Sequence, residues 1–363
     1  MIGRRQFVQG ACLLGAVSVL GAPPALADGK FRAAVEAELK KRKVPGICWA
    51  VIADGKVADS GAVGVKSSGS KAPLGAASRF QAASLSKTIN ALCVLTLVRD
   101  RLVGLDDPVN AYLKGWKLSG RKDTDSVTVR MLLSHTGGTN VHGFAGYDRS
   151  AQLPRLQDVL DGASPANSEA VRVEKKPGAG FSYSGGGTTV LQKLVQDVTG
   201  NDYVDAVRNR VLTALRMNDS AMRQPPLVSD LAFGHDRQGV TVWNGYHVYP
   251  EMAAAGLWTT AADMARAIVG IFGSLAGESG ALLPRDMARQ MVQAKHQGSG
   301  LGVFVDNAGR INHDGVNWGF RATYIANPAK RRGYVLMSNG ENGEKLNETV
   351  ARLILNMRGW KSV

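Results

Sequence analysis

A serine and a lysine three positions apart, at the start of an apolar helical pattern, could together carry out nucleophilic chemistry. They are Ser84 and Lys87 in the segment S-L-S-K, and the apolar stretch 88–102 follows them. Side chains at positions i and i+3 share one face of a helix, so Lys87 can point beside the Ser84 hydroxyl. A helix N-terminus also offers free N–H groups and positive potential. A serine in this setting is a candidate nucleophile.

The S-x-x-K spacing alone does not establish this chemistry. It occurs twice more, at 68–71 and 119–122, in loops rich in Gly and Lys where a solvated turn is the simpler interpretation. For Ser84 the alternative is that its hydroxyl only caps the helix. The motif therefore leaves a catalytic and a structural interpretation open.

Two further segments carry side chains that could serve the same site. Tyr183 lies in F-S-Y-S-G-G-G at 181–187, just before a predicted helix, and could point into a cleft from that loop. His313, followed by Asp314 and Gly315, ends a predicted strand. Taken singly, each has an ordinary alternative: a half-buried tyrosine, and an exposed histidine at the end of a strand.

Together and in this order, the three segments resemble the serine β-lactamase and penicillin-binding protein superfamily. Within it, the resemblance is to the branch of class C β-lactamases, D,D-peptidases and related esterases. The motifs of the superfamily are S-x-x-K, Y-x-N, and K-T-G or H-x-G. Further matching segments are V-P-G at 44–46, F-Q-A-A at 80–83, L-L-S-H-T-G-G at 132–138 and A-G-L-W-T-T at 255–260. The resemblance covers essentially the whole chain after residue 27.

The resemblance implies a role for each motif residue. Ser84 would be the nucleophile, and Lys87 and Tyr183 would move its proton, with the principal base left open between them. His313 would face the carboxylate or the leaving group of the substrate. The backbone N–H groups of Ser84 and Val316 would form the oxyanion hole. Gly315 and Gly185 would belong to the substrate-binding part of the site.

Two residues depart from the β-lactamase pattern. Gly185 replaces the Asn of Y-x-N, which in the family contacts the substrate amide, and His313 replaces the Lys of K-T-G. Both departures favour a serine hydrolase that acts on an ester or a D-peptide-like amide. Two alternatives stay open: a true class C β-lactamase, and a catalytically idle penicillin-binding or sensor module that uses the same fold.

The remaining motifs indicate neither a metal nor a cofactor. His135 is expected to hold a turn, as the family uses it, and no third ligand is spaced to complete a zinc site with His142. The sequence has no G-x-S-x-G, H-E-x-x-H, C-x-x-C or phosphate-loop motif. Cys48 and Cys93 lie in apolar patterns, which predicts buried free thiols.

Hydrophobic periodicity places strands near both ends of the chain and helices between them. We expect an α/β (α+β) fold with one antiparallel sheet, N- and C-terminal helices on one face, and a large, mainly helical insertion. Residues 28–80 and 297–363 would form the sheet part and residues 81–296 the helical part. The active site would lie in the cleft between them.

Residues 1–27 are typical of an export signal. Arg4 and Arg5 precede Phe7, an apolar stretch follows from about residue 11 to residue 20, and A-L-A at 25–27 offers a cleavage site. The twin arginine resembles a signal of the Tat pathway, which exports folded protein, and predicts a periplasmic location. An uncleaved anchor is the alternative.

Composition limits the remaining functions. The 363 residues are 44% hydrophobic, which is typical of a folded protein, and after the signal no apolar run is long enough to span a bilayer. The net charge is +14, but the basic runs are short and lack interleaved aromatics. Nucleic acid is therefore not an expected partner, and a small-molecule or peptidoglycan-like substrate is. The oligomeric state is left open.

Overall fold

The computed structural model describes residues 29–227 and 229–363 of the chain. The export signal assigned to residues 1–27 lies outside the described residues, so it stays a prediction. In the described ranges no helix combines the length and the apolar character needed to cross a membrane.

Twelve strands are present in the described ranges, and seven of them are only two residues long. One of these seven, β9, is an edge strand of the main sheet. In chain order they are β1 Gly46–Ala53, β2 Lys56–Gly64, β3 Phe80–Gln81, β4 Ser119–Gly120, β5 Tyr147–Asp148, β6 Arg172–Val173, β7 His247–Val248, β8 Trp258–Thr259, β9 Phe304–Val305, β10 Ile311–Asn317, β11 Phe320–Asn327 and β12 Arg332–Ser338.

The α-helices lie mainly between the two groups of long strands. In chain order they are α1 Gly29–Arg42, α2 Ser86–Arg99, α3 Val129–Leu133, α4 Leu156–Asp161, α5 Gly185–Thr199, α6 Tyr203–Val207, α7 Met252–Ala255, α8 Ala261–Ala276, α9 Arg285–Met291 and α10 Gly343–Met357.

The long strands form the one antiparallel sheet that the sequence predicts, and its strand order is β2-β1-β12-β11-β10-β9. β1 is nearly all apolar and lies inside the sheet, paired with β2 on one edge and with β12 on the other. The pairing of Ile47 with Ser338 joins the two ends of the chain. The sheet thus requires both terminal segments at once.

Helices cover both faces of this sheet. On one face α1 and α10 pack together, and Phe31, Val35 and Leu39 of α1 enter a core with Trp49 of β1. On the other face α8 packs against β1, β2 and β12, although it belongs to the segment assigned to the helical part. The division of the chain into two domains stays a prediction, while the predicted fold class is confirmed.

Periodicity and turn residues predict helices over about 84–102 and 203–214 and a strand over 310–313, and the structure differs from each of these bounds. The predicted helix 84–102 begins only at Ser86, after a 3-10 turn over Ala83–Leu85, and ends at Arg99. The predicted helix 203–214 is α6 followed by a wider π turn over Arg208–Leu212. The predicted strand 310–313 corresponds to β10, which continues to Asn317. Asp314 and Gly315 do not turn the chain, since they pair with Thr323 and Ala322 of β11.

The two cysteines of the described part are free and buried, as predicted. Burial raises the pKa of each thiol to about 12, so both stay protonated at neutral pH. Since the thiolate is the reactive form, neither Cys48 nor Cys93 is a nucleophile.

Candidate active site

A cavity of about 440 Å³ brings most of the predicted site residues together. Ser84, Lys87, Tyr183, His313 and Val316 line it, whereas Gly185 and Gly315 do not. The other lining residues are His142, Gly143, Phe144, Ala254, Ala255, Phe304, Asp314 and Asn317. The lining residues come from β9 and β10, from the turn before α2 and α2 itself, from α7, and from two loops, at 142–144 and just before α5.

Ser84 is held in a tight turn with an unusual backbone. Ala83 has φ +49°, a left-handed conformation that costs a non-glycine residue about 1 kcal/mol or more. The Ser86 hydroxyl donates to Ala83 O at 2.5 Å and accepts from Leu257 N–H at 3.0 Å. These two bonds attach the turn to the segment that contains Leu257. The Ser84 side chain caps neither this turn nor α2. The capping interpretation is therefore wrong, and the hydroxyl is left for the cavity.

Lys87 contacts Ser84 directly. Its Nζ donates to Ser84 Oγ at 3.0 Å and to the Ala254 carbonyl of α7 at 2.8 Å. The side chain is only 4% exposed, so it has little freedom to leave this position. The predicted i,i+3 contact forms even though the first residues are in a 3-10 turn.

Tyr183 is positioned by its ring. The ring lies 4.4 Å from His135, 5.0 Å from His142 and 6.3 Å from Phe304, measured between centroids, and it is nearly parallel to Phe304. Lys87 Nζ lies 5.0 Å from the ring centroid, close enough for a cation–π contact. Within the described ranges no hydrogen bond holds the Tyr183 hydroxyl, so a substrate group can use it.

His135 holds the loop that carries Tyr183. Its backbone carbonyl accepts from Ser182 N–H at 2.7 Å, and its Nδ1 accepts from Ser184 N–H at 3.3 Å. Burial, assisted by the nearby Lys87 charge, keeps the pKa of His135 well below its usual range. The ring is therefore neutral, as an acceptor must be. His135 therefore holds the loop around Tyr183 through one backbone bond and one side-chain bond, in line with the structural role expected from the sequence.

His313 lies in the middle of β10, not at a strand end, and it is buried. Its Nδ1–H donates to the Asp314 carbonyl at 2.7 Å, which leaves Nε2 as an acceptor without a partner in the described part of the chain. Burial and, secondarily, the Lys87 charge lower the pKa of His313 to about 3. The third motif therefore presents a neutral acceptor to the cavity at any ordinary pH.

Gly315 allows β10 to pass under the turn that carries Ser84. A Cβ at this position would lie 2.5 Å from Ala82 O and 3.1 Å from Leu85 Cδ1, so any side chain would push the strand away. The glycine thus positions the next residue, Val316, at the cavity beside Ser84. The oxyanion role of these two N–H groups stays a prediction.

Gly185, which was expected to contact the substrate, does not line the cavity. It begins α5, and its N–H donates to His142 O at 3.0 Å. A Cβ there would lie 3.0 Å from the Phe144 ring and 3.2 Å from His142 O. The segment 142–144 thus lies where a side chain at 185 would begin, and Phe144 lines the cavity instead.

Several cavity residues were not found by sequence reasoning. Phe304 of β9 contacts both Tyr183 and His313, and Asn317 donates through Nδ2 to Gln81 Oε1 and Ala255 O. The Ala254 carbonyl that binds Lys87 is a backbone atom and has no signature in residue type. For Phe304 the only signal was its place in a predicted strand, which does not reveal which cavity it faces.

A buried carboxyl lies directly before α7, the helix whose Ala254 carbonyl binds Lys87. Glu251 is fully buried, and its backbone carbonyl accepts from Ala254 N–H at the start of α7. Its Oε1 accepts from the Tyr147 hydroxyl at 3.4 Å, while Oε2 has no partner in the described ranges. Burial raises the pKa of Glu251 to about 7. The carboxyl is therefore protonated in mildly acidic solution.

Glu251→Gln is expected to remove a pH dependence of stability. Between about pH 4.5 and 7 the unfolded chain releases a proton that the folded chain keeps, so stability falls as pH rises, by about 3 kcal/mol in all. The glutamine does not titrate and should not show this loss. Urea unfolding from about pH 4.5 to 8 measures the difference, with the exposed Glu36→Gln as the control. Equal pH dependence in both variants would contradict the assignment.

Comparison with known proteins places this arrangement among described families. A family model described as Beta-lactamase matches residues 31–357. Protein flp of Staphylococcus aureus is 23% identical over 347 residues, which are 91% of this chain and 67% of that protein. Penicillin-binding protein 4* of Bacillus subtilis is 28% identical over 172 residues, 46% of this chain and 36% of that protein.

Solved structures share the fold. The octameric penicillin-binding protein homologue from Pyrococcus abyssi has a TM-score of 0.74 at 23% identity, covering 90% of this chain and 77% of its own. The D-amino acid amidase from Ochrobactrum anthropi SV3 has a TM-score of 0.71 at 21% identity, covering 90% and 98%. The D-alanine carboxypeptidase AmpC from Burkholderia cenocepacia has a TM-score of 0.68 at 20% identity, covering 89% and 96%. At these identities the likeness concerns the fold alone.

Proposed function

Because the chain belongs to the beta-lactamase family, we propose that it is a serine hydrolase that works through an acyl-enzyme on an ester or a D-peptide-like amide. The observation that carries the proposal is the 3.0 Å contact between Lys87 Nζ and Ser84 Oγ at an open cavity. A nucleophile within hydrogen-bond reach of a basic group is the signature of covalent acyl transfer.

The residues divide the reaction between them. Attack of Ser84 Oγ on the substrate carbonyl forms a C–O bond and frees the hydroxyl proton; Lys87 Nζ, 3.0 Å from Ser84 Oγ, accepts this proton when it is present as the neutral amine. The bond to the leaving group then breaks, and the proton reaches that group through Lys87 or the unbonded Tyr183 hydroxyl. Water next attacks the acyl-enzyme by the same path in reverse, which releases the acid and restores Ser84.

The charges of the cavity support a substrate without a carboxylate beside the scissile bond. Among the described residues that line the cavity, Lys87 is the only lysine or arginine, and it is already bonded to Ser84 and Ala254. His313 stands where a permanent cation would bind a carboxylate, and its low pKa keeps it neutral. A carboxylate would therefore lose its hydration there without gaining a charged partner. An ester or an amide of a D-amino acid avoids this cost.

A parallel substrate panel tests the proposal. The panel contains p-nitrophenyl acetate, a D-amino-acid anilide, a D-Ala-D-Ala peptide and a chromogenic cephalosporin, each with the unaltered protein and with Ser84→Ala. We expect turnover of the ester or the anilide to exceed turnover of the two carboxylate-bearing compounds by roughly tenfold or more, the value of one charge-assisted hydrogen bond.

The other outcomes decide between the alternatives. Preferred turnover of the cephalosporin would mean a true β-lactamase. Permanent labelling by a fluorescent penicillin, with no turnover of any compound, would mean a penicillin-binding or sensor module. Either result would overturn the proposal.

A further inference from the structure

A pair of aromatic rings lies just beyond the residues that line the catalytic cavity. The rings of Trp318 and His247 have centroids 4.1 Å apart and are inclined by 55°. Trp318 follows directly after Asn317, the last lining residue of β10, and is 37% exposed. A partly exposed tryptophan next to a lining residue of the cavity is a candidate ligand contact, because aromatic side chains commonly line small-molecule sites.

The pair is fixed to the strand that carries the third motif. The His247 carbonyl accepts from Gln81 Nε2 at 2.7 Å, and Gln81 Oε1 accepts from Asn317 Nδ2 at 2.8 Å. Trp318 N–H donates to the Tyr249 hydroxyl at 3.3 Å. Both rings are thus held in register with the end of β10.

The pair is also fixed to the opposite wall of the cavity. His247 Nδ1–H donates to the Ala145 carbonyl at 2.9 Å, and Ala145 follows Phe144, whose ring lines the cavity. The bond from His247 to Ala145 and the ring contact of His247 with Trp318 thus connect the segment that carries Phe144 with the end of β10. We call Phe144, His247 and Trp318 the aromatic end.

The catalytic residues determine which part of the substrate reaches this end. The leaving group must lie near Lys87 and Tyr183, because it receives its proton from them. With the oxyanion role predicted for the N–H groups of Ser84 and Val316, the carbonyl would lie between these two residues, and the acyl group would point away from the proton donors, along β10 beyond Val316. The next residues in that direction are Asn317 and Trp318.

We propose that the aromatic end binds the acyl group of the substrate and selects acyl groups with an aryl or extended alkyl body. This inference rests on the proposed function and gives it a substrate class. Stacking on Trp318 and Phe144 would remove apolar surface of the acyl group from water, whereas an acetyl group is too short to reach them.

The test compares two esters that differ only in the acyl group, p-nitrophenyl acetate and p-nitrophenyl phenylacetate. For Trp318→Ala we expect kcat/KM for the phenylacetate to fall roughly tenfold while that for the acetate changes less than about twofold. Trp318→Phe keeps an aromatic face and should restore most of the phenylacetate rate. Trp360→Ala is the control, because Trp360 packs with the core beneath α1 and α10.

Two results would overturn the inference. One is an unchanged ratio of the two esters in Trp318→Ala. The other is an equal fall for both esters that Trp318→Phe does not reverse, which would make the ring a structural support only. Failure of the unaltered protein to turn over either ester would refute the proposed function itself, and the aromatic end would lose its role with it.

Discussion

Replacing Ser84 by alanine is expected to abolish acyl-enzyme formation. The variant lacks the hydroxyl to which Lys87 Nζ donates, so no covalent intermediate can form there. Intact-mass spectrometry after exposure to an acylating ester or a fluorophosphonate should show the adduct in the unaltered protein and none in Ser84→Ala. Steady-state turnover should fall by roughly a thousandfold or more.

The same substitution should leave the fold intact. The Ser84 hydroxyl caps no helix, so its loss is expected to change the free energy of unfolding by less than about 0.5 kcal/mol. Ser119→Ala is the matched control, since Ser119 begins a second S-x-x-K segment on an exposed strand. An adduct that persists in Ser84→Ala and disappears in Ser119→Ala would show that Ser119, and not Ser84, is the nucleophile.

The second large effect separates Lys87 from Tyr183 as the principal base. Lys87→Met keeps an unbranched side chain but removes the amine that contacts Ser84 Oγ, and we expect the rate of acylation to fall about a thousandfold. Tyr183→Phe keeps the ring contacts with His135 and Phe304 and loses only a hydroxyl that is bonded to no described residue. Its acylation rate should fall roughly tenfold.

Burst kinetics with p-nitrophenyl acetate measures acylation apart from release of the acid. The expected order of damage is Lys87→Met greater than Tyr183→Phe. A Tyr183→Phe variant as impaired as Lys87→Met would make the tyrosine the base and the lysine its support. Thermal unfolding of both variants checks that the comparison concerns chemistry and not folding.

Local sequence signals located most of the elements because turn residues and periodicity act over short distances. The Asp54-Gly55 dipeptide predicts a hairpin turn, and the structure has β1 and β2 on either side of it. The order S-x-x-K, tyrosine, histidine likewise identified residues that share one cavity. Residue types and their order along the chain were sufficient to find these residues, since each motif can be recognised from a few neighbouring residues.

The sequence was least informative where a contact between distant segments decides the structure. Asp314 and Gly315 looked like the end of a strand, but the glycine is needed because β10 passes under the turn at Ala82. Gly185 looked like a substrate contact, but segment 142–144 lies against it. The neutral state of His313 follows mainly from burial and only secondarily from the Lys87 charge. No local pattern encodes any of these contacts.

The pairing of β1 with β12 has a consequence for the order in which the protein can fold. β1 emerges early during synthesis, yet one of its edges stays without its partner until residues 332–338 have been made. Contacts between such distant residues slow folding and leave an apolar strand open to aggregation meanwhile. The sheet therefore closes only after nearly the whole chain has left the ribosome, and a transport route that carries finished, folded molecules would suit such a chain.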